Sequence, residues 1–228
     1  MFFDRNGNFS PLKRVFLTLF ATLFFFCFGG CKKEFDYTPY VSELRSNIFL
    51  AEVNGLSLRI YAVKKEHPYA ADGIPREGNS RLEAYLLPPS EDKSCEFYFT
   101  VNGREYGGDM SFDNVKTEYY YACSLDVSSL QEFPCKLKYG NETYEFTAHS
   151  VLEKEVLSPQ SALKKLQECE GELFTSLTDK YGFAGEIHLR LIYEESPYYY
   201  IGIIDRKGNV HAFLLSAKTG KVLAKRRT

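Results

Sequence analysis

Three dipeptides do most to limit what this chain can become. Asn54-Gly55, Asn102-Gly103 and Gly140-Asn141 each stand between two short runs in which apolar and polar residues alternate. A two-residue turn of this kind needs positive backbone φ, which Gly and Asn tolerate, and it sends the chain back antiparallel to itself. Around the first turn, Leu56, Leu58, Ile60 and Ala62 point one way and Ser57, Arg59 and Tyr61 the other. Cys95, Phe97, Phe99 and Val101 share a face before the second turn, as Tyr144, Phe146 and Ala148 do after the third. Residues 81–87 and 118–125 add two more such runs.

Seven or eight short strands between Ser46 and His149 predict an antiparallel β-sandwich over residues 46–150. It resembles immunoglobulin-like domains in architecture alone, because the chain contains no Trp and so lacks the Cys-Trp-Cys hallmark. Two connections look long: residues 65–80, which hold His67, and residues 107–116. Long loops on a sandwich are common sites of binding.

Near Ser150 the period changes. Ser158-Pro159 reads as a helix start, Ser as the N-cap and Pro at the first helical position. Leu163, Leu166, Leu173 and Leu177 then recur at helical spacing, with Gly171 marking a bend or a break into two shorter helices. Residues 186–193, 198–205, 210–216 and 221–224 follow as strands. The expectation is therefore a mainly β chain with an α+β C-terminal part, residues 151–228, in which a helix covers one face of an antiparallel meander.

The N-terminus carries an address. Lys13 and Arg14 precede an uncharged apolar run from Val15 to Phe28, and Gly29-Gly30-Cys31 closes it. A basic start, an apolar middle and a small-residue exit make residues 1–30 a secretory signal peptide. The run is short of the roughly 20 residues that span a bilayer. Phe28-Gly29-Gly30-Cys31 resembles the lipobox of bacterial lipoproteins, which implies cleavage before Cys31 and acylation of that residue with palmitate-like chains. On that resemblance residues 31–45, polar and without periodicity, are a tether, and the membrane is a partner through the lipid anchor. The protein is then extracytoplasmic, in the cell envelope.

The C-terminal part resembles the PepSY family of exported bacterial domains. The matching residues are Leu157-Ser158-Pro159-Gln160-Ser161-Ala162-Leu163, then Tyr199-Tyr200-Ile201-Gly202-Ile203, then Ser216-Ala217-Lys218-Thr219-Gly220-Lys221-Val222-Leu223. The resemblance implies a domain of the kind found in propeptides of secreted metallopeptidases and in envelope proteins, for which restraint of a peptidase has been proposed. It implies no catalytic residue.

Loss of Asp4, Arg5, Lys13 and Arg14 with the signal peptide takes the formal charge from −2 to −4. Nucleic-acid binding needs clustered Lys and Arg, so this balance argues against it. Lys221, Lys225, Arg226 and Arg227 form a basic concentration that reads as a solvated tail. Of the cysteines after Cys31, Cys169 falls on the apolar stripe of the helix. Cys95, Cys123 and Cys135 lie in the sandwich. Four thiols allow three connectivities, and Cys123 with Cys135, which closes the shortest loop there, is the candidate disulfide.

His67, His149, His188 and His211 stand in no metal-binding or nucleophile-base pattern, so neither a cofactor, a metal nor catalysis is expected. Asp109 to Asn114 places oxygens at alternate positions but lacks the Gly and distant Glu of a calcium loop. Tyrosine is abundant, 17 in all. Tyr119-Tyr120-Tyr121 and Tyr198-Tyr199-Tyr200 fall in strands, where alternate rings face opposite sides. Tyr119, Tyr121, Tyr198 and Tyr200, with His67, are the candidate binding surface, because Tyr supplies rigid area and a hydroxyl at little entropic cost. The expected partner is a protein or peptide; a carbohydrate or small ligand on the same residues is the alternative, and a hydrolase with an unrecognised site a further one.

Overall fold

The Asn-Gly turns form as the sequence predicts. Asn54 and Gly55 take φ of 48° and 79°, and Asn102 and Gly103 take 52° and 73°. The computed structural model describes residues 35–66, 74–88 and 93–228, and residues 37–228 make up one of its compact units. Cys31 and His67, the expected lipidation residue and the loop histidine of the expected binding surface, lie outside the described residues.

Strand β1 (Val41–Val53) turns through Asn54-Gly55 into β2 (Leu56–Glu66), which pairs with β3 (Gly78–Leu87). The hairpin of β4 (Cys95–Val101) and β5 (Arg104–Asp109) is followed by β6 (Ser111–Asp113) and β7 (Glu118–Cys123), and β7 pairs with β3. Next, β8 (Glu132–Tyr139) and β9 (Glu142–Ser150) form a hairpin whose β8 pairs with β4 and whose β9 pairs with β1. These antiparallel strands make a nearly closed, barrel-like sandwich, and the coarse expectation of a mainly β chain holds. Its core is aromatic: Phe49, Phe97, Phe99 and Phe133 are buried together, with Phe49 and Phe133 ring centroids 4.8 Å apart.

Helix α1 (Pro159–Cys169) starts where expected, with the Ser161 amide donating to the Ser158 hydroxyl oxygen at 3.1 Å. The chain breaks at Glu170 and resumes as α2 (Gly171–Ser176). Two short strands, β10 (Thr178–Asp179) and β11 (Gly182–Phe183), lead into the meander β12 (Gly185–Glu194), β13 (Ser196–Asp205), β14 (Val210–Ser216) and β15 (Val222–Arg227). Ala162, Leu163, Leu166 and Phe174 of the helices bury against Ile187, Leu189, Tyr199 and Ile201, a second core.

The two parts are joined through β1. Its first half pairs in parallel with β12, Glu43 beside His188 and Arg45 beside Arg190, and its second half pairs with β9, Phe49 beside Ser150. Among the described residues, thirteen strands thereby belong to one sheet, which runs across residue 150. Residues 41–45, expected in the tether, are strand instead: the parallel neighbour that holds them is some 145 residues away and leaves no local sign. Residues 107–116, expected as a loop, contain the end of β5 and all of β6.

The expected Cys123–Cys135 bridge is not formed. All four described cysteines are free thiols, and β7 and β8, which carry the pair, are not neighbours in the sheet. Cys169, expected under the helix, is exposed because α1 ends there, so the apolar stripe does not continue through it.

Candidate functional site

The tyrosine runs divide as alternation requires, with the phase reversed in one of them. In β7 the core face is set by β3: Leu86 opposes Tyr119 and Ala84 opposes Tyr121. Tyr119 is therefore buried, its hydroxyl donating to the Lys93 carbonyl, and Tyr121 packs edge-on to Phe97. Neither forms an open surface, which corrects the expectation; Tyr120 is the ring that faces outward. In β13 the expected phase is the observed one. Tyr199 is fully buried and donates to the Leu157 carbonyl at 2.7 Å, while Tyr198 and Tyr200 are half-exposed on the other side.

A cleft of about 860 Å3 lies where β1 leaves β12. Its apolar floor includes Leu44, Ala62, Leu157 and Tyr199, and its walls carry Ser46, Ser128, Ser158 and Gln160. Leu44, Lys64, Pro159 and Gln160 also line a smaller cavity of about 210 Å3, so the two adjoin at the start of α1. The charged lining is balanced: Lys64 and Lys154 stand with Asp126 and Glu153. Asp126 is already engaged by the Ser128 amide at 2.9 Å and the Ser80 hydroxyl at 3.3 Å, and these bonds to Ser128 and Ser80 hold its carboxyl below the usual range. Among the described residues no His or Cys lines the cleft. The arrangement suits backbone amides and carbonyls, which pair with hydroxyls and side-chain amides, over a strongly charged ligand.

The fork that shapes this cleft rests on Asn47. Fully buried, it donates from Nδ2 to the Ser128 and Leu130 carbonyls at 3.3 and 3.1 Å. The loop wall of the cleft is thus tied to β1. No motif signals this residue in the sequence, since a lone Asn inside a strand looks unfavourable until its partners are known.

On the other side of the sheet, charged and aromatic groups alternate. Arg190 makes a two-pronged contact with Glu43 at 2.7 and 2.8 Å. Burial pushes the Glu43 carboxyl up, but the bonds and charge of Arg190 prevail and hold it below its usual range. His188 lies 2.6 Å from Glu186, and the exposed His149 lies 3.1 Å from Glu132. Tyr61, Tyr85 and Tyr120 form a row with centroids 5.5 and 5.0 Å apart. Tyr61 and Tyr85 were not among the expected site residues; the strand alternation of β2 and β3 that buries Ile60 and Ala84 places them outside.

Asp113, in the segment with calcium-like spacing, caps a turn by accepting from the Val115 and Lys116 amides at 2.9 and 3.2 Å. Among the described residues no three His, Cys, Asp or Glu side chains converge as a metal site, and no helix is long and apolar enough to cross a membrane. No family model, curated protein or solved structure matches the chain.

Proposed function

We propose that this chain is a lipid-anchored, extracytoplasmic protein of the cell envelope that acts by binding a protein or peptide rather than by catalysis. The observation that carries the reading is the cleft at the β1 fork. It is charge-balanced, partly apolar and lined by several hydroxyls and side-chain amides, which is the chemistry an extended peptide meets on both its side chains and its backbone. The lipobox-like Phe28-Gly29-Gly30-Cys31 supplies the anchor. The PepSY-like helix and meander, whose Leu157 to Gln160 form one wall, favour an exported peptidase as the restrained partner.

Two experiments test the two halves. Alkyne-palmitate labelling of the full-length protein in a bacterial host is expected to disappear on Cys31→Ser; labelling that persists overturns the anchor. A photo-crosslinker at Gln160 is expected to trap a discrete envelope protein, while the same group at Arg104, on a hairpin away from the cleft, traps none. Identical products from both positions would overturn the cleft as the binding site.

A further inference from the structure

A second recess, of about 400 Å3, lies on the face of β2 and β3 opposite the sandwich core. Register makes the separation plain: Leu58, Ile60, Ala84 and Leu86 fill the core, while Arg59, Tyr61, Tyr85 and Leu87 alternate with them and point away. The recess shares no lining residue with the cleft.

Its charge is one-sided. Arg45, Arg59 and Lys116 line it against the single carboxylate of Glu118. Arg59 is committed to Glu194 at 3.6 Å and Lys116 to Glu118 at 3.6 Å. Arg45 is not committed. Its guanidinium lies over the Tyr61 ring, 3.9 Å from the centroid, and its Nε is a buried donor without an acceptor among the described residues. A stacked guanidinium is held in one plane and offers its edge to a carboxylate in a two-pronged contact.

The rest of the recess narrows the ligand. Tyr85 has its hydroxyl spent on Glu83 at 3.2 Å, so what it presents is its ring, flanked by Tyr61 and Tyr120, with the Lys116 ammonium 5.8 Å from its centroid as the group a ligand would displace. Ser57 adds a hydroxyl, and Glu118, although paired with Lys116, keeps carboxylate lone pairs that can accept hydrogen bonds from ligand hydroxyls. One anion, one apolar ring face and several hydroxyls describe a uronic acid. We propose that this recess binds an acidic glycan, with Arg45 holding the carboxylate of one sugar ring and Tyr85 packing against its C–H face. The volume falls within the range of about 300–1,000 Å3 for small-ligand sites.

Calorimetric titration of the detergent-solubilised full-length protein with trigalacturonate, at low salt, tests this. The expected result is saturable binding that is lost with the neutral methyl ester of the same trisaccharide. Arg45→Gln is expected to weaken it by about tenfold or more, the loss of a charge-assisted contact. Lys116→Gln, at the exposed rim, is expected to weaken it a few-fold and to flatten its salt dependence. Near-UV circular dichroism checks that each variant is folded, and if Arg45→Gln is not, the Lys116→Gln and methyl-ester results decide. Equal affinity for trigalacturonate and its ester, or for triglutamate and trigalacturonate, overturns the proposal, as does unchanged affinity in folded Arg45→Gln.

Discussion

The side-chain oxygen of Asn47 accepts a 2.8 Å hydrogen bond from the hydroxyl of Ser150, 103 residues further along the chain. It also accepts from the Ile48 amide at 2.8 Å, while its nitrogen holds the Ser128 and Leu130 carbonyls. This one amide saturates the point at which β1 exchanges β12 for β9. A ladder cannot change partners without exposing backbone groups, and in a buried place those groups must be paired some other way.

Asn47→Ala should therefore cost far more than its volume suggests. Two carbonyls, one amide and one hydroxyl lose a partner in a site with no exposure, and about 3 kcal/mol is expected from buried unsatisfied groups. Ser150→Ala removes the donor to Asn47 and also the acceptor of the Leu152 amide at 3.0 Å, and should cost about 2 kcal/mol. Urea unfolding of both variants and of the double variant checks this. The double variant should fall short of the sum, because the residues share one network. Additive losses would show that Ser150 and Asn47 act independently.

The Glu43–Arg190 pair makes stability depend on acid. The folded carboxyl keeps its charge to lower pH than an unfolded Glu, because Arg190 outweighs the effect of burial. Its contribution is thus complete above the ordinary Glu range near about 4.3 and is lost as pH falls through that range and below. Urea midpoints of wild type and Glu43→Gln should differ most near neutrality and converge towards about pH 3. A gap that stays constant across that span would contradict the assignment.

What the sequence disclosed and what it withheld divide along contact distance. The turns at Asn54 and Asn102, the Ser158 cap and the break before Gly171 are set by neighbours within a few residues, and each appears where expected. The parallel register of Glu43 against His188 has no local determinant, so β1 seemed to begin later than it does. Tyr119 was legible as a strand residue but not as a core residue. Every residue in Tyr119-Tyr120-Tyr121 suits either face, and only Leu86 and Ala84 on β3 settle the phase. The cleft and the Arg45 recess are assembled from strands paired across the chain, and no spacing announces either.

Thiol chemistry separates the cysteines by position. Burial pushes Cys95 and Cys135 up to about 12, whereas Cys169 stands exposed at the end of α1. The thiolate is the reactive form, so iodoacetamide near pH 8 should modify Cys169 in the native protein and leave Cys95 and Cys135 untouched until urea unfolds it. Peptide mass spectrometry reads the sites. Without reductant, the unfolded chain should also yield Cys123 and Cys135 as separately alkylated residues. Native labelling of Cys135 ahead of Cys169 would place β8 elsewhere.

Two glycines should respond differently to alanine. A Cβ on Gly107 would sit 2.3 Å from the Phe97 carbonyl oxygen and 2.6 Å from the Tyr98 Cα, both backbone atoms of the paired strand β4. Neither can move without breaking the β4–β5 ladder, and φ of 147° disfavours a side chain in any case. Gly107→Ala should cost about 2 kcal/mol or more, at the upper end of ordinary backbone strain. Gly171 opens α2, and a Cβ there meets nothing within 4 Å. Gly171→Ala should leave the melting point unchanged or raise it, since alanine in a helix is favoured over glycine by up to about 1 kcal/mol. Thermal unfolding of the pair in parallel distinguishes the two positions. A loss at residue 171 comparable with that at 107 would show that the bend between α1 and α2 needs glycine for itself rather than for want of space.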